Sequence, residues 1–223
     1  ELRLMALVLP AAIAFMLMAR GAFDGAGRAG GTASFARGLR EISFQAVAAL
    51  STTGFQTVDL SRWGEFGVLV LVFLMIIGGG VGSTAGGIKL YRVYLMLKSL
   101  GWGLQRFFVP KSAISERYVW RGEDKFFVEW QHVREVYEYV LIYLLSYAAG
   151  VTVLTGLGYS LRESMFEFAS ALSTVGLSIG LTGPNSPAGL LWVEMLGMFL
   201  GRLEILVVAI SLVKVARDLR AAV

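Results

Sequence analysis

Apolar residues in this chain gather in long runs, and polar segments separate the runs. A helix needs about 20 consecutive apolar residues to cross a lipid bilayer. Runs of that kind lie at residues 2–19, at 66–77 with a continuation at 88–100, at 137–157 and at 190–215. Only 16% of the 223 residues are charged, whereas soluble domains carry about a quarter. The pattern predicts an all-α integral membrane protein with several spans.

The sequence contains an internal repeat. FQAVAALSTTGF at residues 44–55 aligns without gaps on FEFASALSTVGL at residues 166–177. An apolar run flanks each copy on both sides, which predicts two span–pore helix–span repeats at residues 1–100 and 133–223, joined by a cytoplasmic link at 101–132. The predicted pore helices, at 42–50 and 164–172, are too short to cross a membrane. One copy alone could be an ordinary outer loop, but two matching copies favour re-entrant helices.

Five residues after each short helix predict an ion-selectivity filter. The C-terminal end of a helix carries partial negative charge, and extended residues beyond it can turn carbonyl oxygens toward one axis. Such carbonyls replace the hydration shell of a potassium ion, and glycine permits the turn. An acidic filter for divalent cations is disfavoured because these segments contain no carboxylate. The predicted filter residues are Ser51, Thr52, Thr53, Gly54, Phe55, Ser173, Thr174, Val175, Gly176 and Leu177.

The stretch MIIGGGVGSTAGGIKLY, residues 75–91, interrupts an apolar run with glycines. A phosphate-binding loop needs Gly-Lys-Ser/Thr at its end, but Ile88 precedes Lys89 and Leu90 follows it, so nucleotide binding is not expected. The glycines predict an intramembrane gating loop at residues 78–87, and a face of small residues for helix packing is the alternative. The predicted gating residues here are Gly78, Gly79, Gly80, Gly82, Ser83, Thr84, Gly86, Gly87 and Lys89.

Arg202 lies about midway along the last apolar run. A charge at the centre of a bilayer costs at least about 2.5 kcal/mol, so a residue of this kind is a functional candidate. Glu204 is two residues away, on a different face of a helix, and is therefore a poor partner for Arg202. Arg202 either pairs with another segment or projects into a polar pathway. Glu194, nearer the outer end of the run, is interpreted as an interfacial residue.

Positive residues are concentrated between residues 89 and 134 and at the C-terminus, which the positive-inside rule assigns to the cytoplasm. This distribution accounts for the net charge of +4, so a nucleic-acid partner is not expected. The lack of cysteine and the single histidine, His132, exclude disulfides and metal sites rich in thiolate or histidine. The chain begins with Glu1, and we expect it to start within a longer protein.

Three motifs together resemble the Trk/Ktr/HKT superfamily of potassium transporters, specifically the bacterial TrkH-type pore subunit. They are Ser-Thr-Thr-Gly-Phe at 51–55, the glycine-rich stretch at 78–89 and Gly-Arg-Leu-Glu at 201–204. The resemblance covers essentially the whole chain. It implies a pseudo-fourfold pore of four repeats, of which this chain supplies the third and fourth, so the N-terminal half is missing or comes from elsewhere. It also implies that the glycine-rich loop and Arg202 form one barrier beneath the filter.

The resemblance further implies potassium as the transported ion, no organic cofactor, and a multi-pass position among the lipids of the bacterial cell inner membrane. Its implied partners are a second copy of the protein, forming a homodimer, and a cytosolic nucleotide-binding regulatory ring of the TrkA/KtrA kind. On sequence alone the link is either a solvated connection or a docking surface.

The expected function is potassium uptake through the filter, controlled by the loop and Arg202. The alternative is the potassium-binding pore subunit of a potassium-pumping ATPase, which would need a separate catalytic subunit. An enzyme is not expected, because no paired carboxylates, Ser/His/Asp set or metal ligands converge in the predicted spans.

Overall fold

The computed structural model describes residues 2–24, 32–108, 118–121, 124–183, 185–203 and 205–221. Most of these residues are helical, and a single turn of 3-10 helix lies at Leu60–Arg62. The helices are α1 (Leu2–Asp24), α2 (Thr32–Leu50), α3 (Glu65–Ile77), α4 (Leu90–Arg106), α5 (Trp130–Gly156), α6 (Leu161–Leu172), α7 (Ala188–Arg202) and α8 (Ile205–Ala221).

The all-α prediction misses a small antiparallel hairpin in the link. Its strands are β1 (Tyr118–Arg121) and β2 (Asp124–Phe127), and Tyr118 lies opposite Phe127. Aromatic and β-branched residues such as those of the Tyr-Val-Trp sequence fit the pleated surface of a sheet. The rest of the link includes residues 109–117, which lie outside the described part of the chain.

By length and hydropathy, α5 is the one helix among the described residues that could cross a membrane. Two shorter apolar helices lie at Arg3–Met18 and Glu65–Ile77. The other predicted spans are divided, because the run at 66–100 is split between α3 and α4, and the run at 190–215 is split between α7 and α8. The predicted span at 190–215 therefore corresponds to two helices, and the multi-span arrangement stays a prediction.

Both helices that precede the predicted filter segments are longer than the sequence predicts. α2 begins at Thr32 rather than at residue 42, and α6 begins at Leu161 rather than at residue 164. Hydrophobicity does not mark the start of α2, because Phe35 and Leu39 near that start are exposed, as are Arg37 and Arg40. α6 begins with a capping box, in which the Ser160 hydroxyl accepts from the Glu163 amide and the Glu163 carboxylate accepts from the Ser160 amide.

α6 lies at the centre of the packing, in contact with α3, α5 and α7. Its Phe168 ring fits between two glycines of neighbouring helices. A Cβ on Gly150 of α5 would overlap this ring, and a Cβ on Gly197 of α7 would lie 3.0 Å from its Cε2 atom. The two glycines therefore admit the ring and fix α6 against both helices.

Gly150→Ala is expected to lower the free energy of unfolding by about 1–3 kcal/mol, because the added methyl group must displace the buried Phe168 ring. Thermal unfolding of the purified protein in detergent measures the change. Gly156→Ala is the matched control in the same helix, since no atom lies within 4 Å of its added methyl group. Equal unfolding midpoints for the two variants would contradict the packing argument.

Candidate functional site

The two predicted filter segments adopt the same backbone conformation. Thr52 and Thr174 both have a φ of 53°, a positive value that is uncommon for residues other than glycine. Gly54 and Gly176 follow with φ values of 75° and 91°. The sequence repeat is therefore also a repeat of backbone geometry.

Matching backbone hydrogen bonds close the helix before each segment. In the first copy the amide of Ser51 donates to the carbonyl oxygen of Val47, that of Thr52 to Ala49, and that of Thr53 to Ala48. In the second copy the amide of Ser173 donates to the carbonyl oxygen of Ala169, that of Thr174 to Ala171, and that of Val175 to Ser170. Each helix thus ends in a tight turn that leads directly into the segment.

The structure brings the two segments together at Gly54. A Cβ on Gly54 would overlap the carbonyl oxygen of Val175 and lie 3.4 Å from the Cα atom of Gly176. The first copy can approach this closely only because Gly54 has no side chain. The outer ends differ, since Phe55 is 68% exposed whereas Leu177 is buried.

The glycine-rich loop interrupts a helix, and backbone hydrogen bonds join the two ends of the interruption. α3 ends at Ile77 and α4 begins at Leu90. The last carbonyls of a helix normally lack intrahelical partners. Here the carbonyl oxygens of Ile76 and Ile77 accept from the amides of Ile88 and Lys89 at 2.9 and 2.8 Å. Residues 78–87 between them form a loop, the extruded loop, and these hydrogen bonds join its two ends.

The extruded loop contacts both predicted filter segments through Gly86. The Gly86 amide donates to Thr52 Oγ1 at 3.1 Å. A Cβ on Gly86 would overlap the carbonyl oxygen of Ser173 and lie 2.6 Å from Thr174 Oγ1. Within the loop, the Ser83 hydroxyl donates to the Gly80 carbonyl oxygen at 2.6 Å. The loop therefore lies against the start of both segments.

A pocket of about 130 Å³ separates this loop from the end of α7. Its lining includes Arg202, the loop residues Ser83 and Thr84, and Thr174 of the second predicted filter segment. The full lining is Ser83, Thr84, Ala85, Gly86, Gly87, Lys89, Tyr139, Thr174, Gly201 and Arg202. Six of the predicted gating residues, Ser83, Thr84, Gly86, Gly87, Lys89 and Arg202, thus line one pocket, whereas Gly78, Gly79, Gly80 and Gly82 are not part of its lining. Glu204 lies outside the described residues.

Sequence reasoning missed the side chains that form hydrogen bonds with the second predicted filter segment. The Ser170 hydroxyl oxygen accepts from the Gly176 amide at 3.1 Å, and the hydroxyls of Tyr143 and Ser173 lie 2.7 Å apart. Glu167, one turn before Ser170, binds the residues that follow the segment. The sequence signal for this role was a glutamate within an otherwise apolar short helix. The corresponding residue of the first repeat is the uncharged Gln45.

The interpretation of Glu194 as an interfacial residue is wrong. Its side chain is buried, and the Thr182 hydroxyl donates to its Oε1 atom at 2.6 Å. A position near the end of an apolar run does not reveal this burial, because Thr182 reaches Glu194 only through the fold of the intervening segment.

Arg162, at the start of α6, ties the second repeat to the first. Its Nη2 atom donates to the carbonyl oxygen of Trp63 at 2.6 Å and to that of Ser61 at 3.3 Å. Its Nη1 atom lies 3.4 Å from Glu65 Oε1, at the start of α3. Hydrogen bonds from a guanidinium are stronger than neutral ones, so this contact fixes the entry of α6 beside α3.

The family follows from comparison with known proteins. A sequence model of the TrkH family, described as a cation transport protein, matches residues 11–218. The chain belongs to the TrkH family. The resemblance read from the three motifs is thereby confirmed.

Several curated relatives share this TrkH-family sequence. An uncharacterised cation transporter of Methanocaldococcus jannaschii is 30% identical over 167 residues, which is 75% of this chain and 34% of that protein. The Trk system potassium uptake protein TrkI of Halomonas elongata is 30% identical over 188 residues, covering 82% of this chain and 37% of that protein. This chain therefore spans about a third of the length of these relatives. Their names describe transporters, in agreement with the expectation that the chain is not an enzyme.

The fold agrees with a solved TrkH structure. The crystal structure of the potassium transporter TrkH from Vibrio parahaemolyticus matches with a TM-score of 0.73 and 24% identity. The match covers 93% of this chain and 42% of that chain. The mostly helical architecture is thus that of a TrkH-type membrane transporter.

Proposed function

We propose that this chain forms half of the pore of a potassium uptake transporter, with residues 51–55 and 173–177 as two of its filter segments. The observation that carries the proposal is the close approach of Gly54 to the Val175 carbonyl between two segments of identical turn geometry. Two segments that lie side by side can both direct backbone carbonyl oxygens toward a dehydrated ion. Unrelated outer loops would have no reason to share this conformation.

Potassium is the proposed ion because these segments offer carbonyl and hydroxyl oxygens and no carboxylate. Backbone carbonyls bind an alkali ion without holding it so tightly that it cannot leave. Glycine at both positions 54 and 176 allows each backbone to turn its carbonyls inward. The names of the Trk relatives support the same ion.

The proposed gate consists of the glycine-rich loop and Arg202. The contact of Gly86 with Thr52 and Thr174 supports a position of the loop at the inner mouth of the filter. Arg202 faces the same pocket, where a fixed positive charge repels a cation that leaves the filter. Permeation then requires the loop and the guanidinium to move aside.

The complete pore in this proposal has four repeats, and the chain supplies the third and fourth. The other two filter segments belong to the remaining part of the transporter. The proposed setting is multi-pass in the bacterial inner membrane, as a homodimer, with a cytosolic nucleotide-binding regulatory ring on the side of the link. The hairpin of β1 and β2, with Phe126 and Phe127 exposed, is a surface that this ring could contact.

Tracer uptake tests the proposed function. Lipid vesicles that contain the full-length transporter are expected to take up radioactive rubidium, a potassium analogue, faster than radioactive sodium. Empty vesicles and vesicles with heat-inactivated protein provide the background. Uptake no faster than this background, in protein shown to be inserted, would overturn the proposal.

Thr52→Ala is expected to raise rubidium uptake roughly two- to tenfold, because the loop loses the hydrogen bond that joins Gly86 to the filter segment. The same vesicle assay measures it, normalised to inserted protein. Thr52→Ser keeps the hydroxyl oxygen, so its uptake rate is expected to stay close to that of the unmodified protein. If both variants change uptake equally, the hydrogen bond does not hold the loop closed.

A further inference from the structure

Glu167 is a buried carboxylate in the middle of α6, with 3% of its surface exposed. Its Oε1 atom accepts from the Ser178 hydroxyl at 2.6 Å and from the amides of Ile179 and Leu181 at 3.0 and 3.3 Å. Its Oε2 atom lies 3.1 Å from the Thr182 hydroxyl oxygen. Residues 178–182, which follow the second predicted filter segment, therefore surround the carboxyl group of Glu167.

The same network reaches α7. The Thr182 hydroxyl oxygen lies 2.6 Å from Glu194 Oε1 and 3.1 Å from Glu167 Oε2, and its single proton can be donated to only one of the two carboxyl groups at a time. Burial of these groups removes water that would compete for the hydrogen bonds. The outer side of the second filter segment is consequently joined to two helices at once.

The first repeat lacks this brace. Gln45 occupies the place of Glu167, and its Nε2 atom donates to Thr57 Oγ1 at 3.4 Å. The Oε1 atom of Gln45 is buried, and among the described residues it has no hydrogen-bond partner. Ala48 stands where the second repeat has Ser170, the acceptor for the Gly176 amide. The two filter segments thus share a conformation but differ in how firmly their surroundings hold them.

We propose that Glu167 is a positioning residue for ion selectivity, and this inference rests on the proposed function. It acts through residues 178–182, which keep the carbonyls of 173–177 from collapsing onto an ion smaller than potassium. A filter discriminates between potassium and sodium through the number and placement of its carbonyl oxygens. The second segment is the fixed wall of the filter, and the first segment is its more compliant neighbour.

Glu167→Ala in the full-length transporter is expected to lower the ratio of rubidium to sodium uptake about fivefold, because the hydrogen bonds from Ser178, Ile179 and Leu181 and the contact with Thr182 are lost. Glu167→Gln keeps one carbonyl oxygen for Ser178, Ile179 and Leu181, and it is expected to recover most of the ratio. The matched control is Glu163→Ala, which truncates the capping glutamate of the same helix. It is expected to weaken the helix start without changing the ratio.

Hydrogen exchange gives a second readout that does not depend on transport. The amides of Ile179 and Leu181 are expected to exchange faster in Glu167→Ala than in the unmodified protein or in Glu163→Ala. Faster exchange together with a lowered ratio supports the inference. An unchanged ratio in correctly inserted Glu167→Ala overturns it, whatever the exchange rates are.

Single-donor variants keep the test decisive if Glu167→Ala does not insert. Ser178→Ala removes one hydrogen bond to Glu167 and Thr182→Val removes the contact with its Oε2 atom, and a lowered ratio in either supports the inference. Unchanged ratios in both overturn it. Failure of the unmodified transporter to take up rubidium is a different result, because it overturns the proposed function itself.

Discussion

We expect Arg202→Ala to raise rubidium uptake by about tenfold, because the side chain brings a positive charge to the pocket that Thr174 and the glycine-rich loop also line. Two positive charges about 6 Å apart in surroundings of effective dielectric constant about 20 repel by roughly 3 kcal/mol, and part of this repulsion is screened by water in the pocket. Each reduction of a barrier by about 1.4 kcal/mol speeds passage tenfold. Initial rates of tracer entry into vesicles, normalised to inserted protein, measure the effect.

Two control variants test whether the effect depends on a positive charge at position 202. Arg202→Lys keeps a positive charge in the pocket and is expected to stay close to the unmodified rate. Arg134→Ala removes a positive charge from the exposed side of α5, where Arg134 pairs with Glu138 at 2.7 Å, and should leave the rate unchanged. Unchanged or slower uptake by inserted Arg202→Ala would count against a barrier role for the arginine.

Gly54→Ala is expected to reduce rubidium uptake at least about tenfold, since distortion of the segment by only about 1.4 kcal/mol already costs that factor. Two effects act together at this position. The φ of 75° disfavours any residue with a side chain, and the added methyl group would overlap the Val175 carbonyl oxygen. Because that carbonyl is a proposed ion ligand, the ratio of rubidium to sodium uptake should fall along with the rate.

Gly64→Ala provides the comparison for this substitution. Gly64 precedes α3, and no atom lies within 4 Å of an added methyl group there. The Gly64→Ala variant should transport like the unmodified protein. Retention of both rate and selectivity in Gly54→Ala would mean that the two segments do not form a common ion pathway.

The sequence was sufficient to predict the parts of the site that repeat or that violate a composition rule. The matched Ser-Thr-x-Gly segments indicated two equivalent turns, and Thr52 and Thr174 do share one conformation. Six glycines among ten apolar-run residues indicated an interrupted helix, and the interruption lies at residues 78–89. Both features are local, so the chain carries them without reference to its tertiary structure.

Features that depend on contacts between distant segments could not be read in this way. The donors to Glu167 come from residues 178–182, well beyond the period of a helix, and only the fold gathers them around one carboxylate. The division between α7 and α8 follows Gly201 by two residues, but one glycine in an apolar run does not by itself predict a break. Beside it, a Cβ on Gly201 would overlap the Leu172 carbonyl oxygen, a constraint set by the packing of α6.

The joined ends of the extruded loop have a mechanical consequence. Because Ile88 and Lys89 are bonded to Ile76 and Ile77, α3 and α4 can stay in place while the residues between them swing. In the proposed gate, movement of the loop alone then requires no lateral expansion of the protein in the membrane. Conduction by such a transporter should therefore respond little to membrane tension or to the thickness of the bilayer.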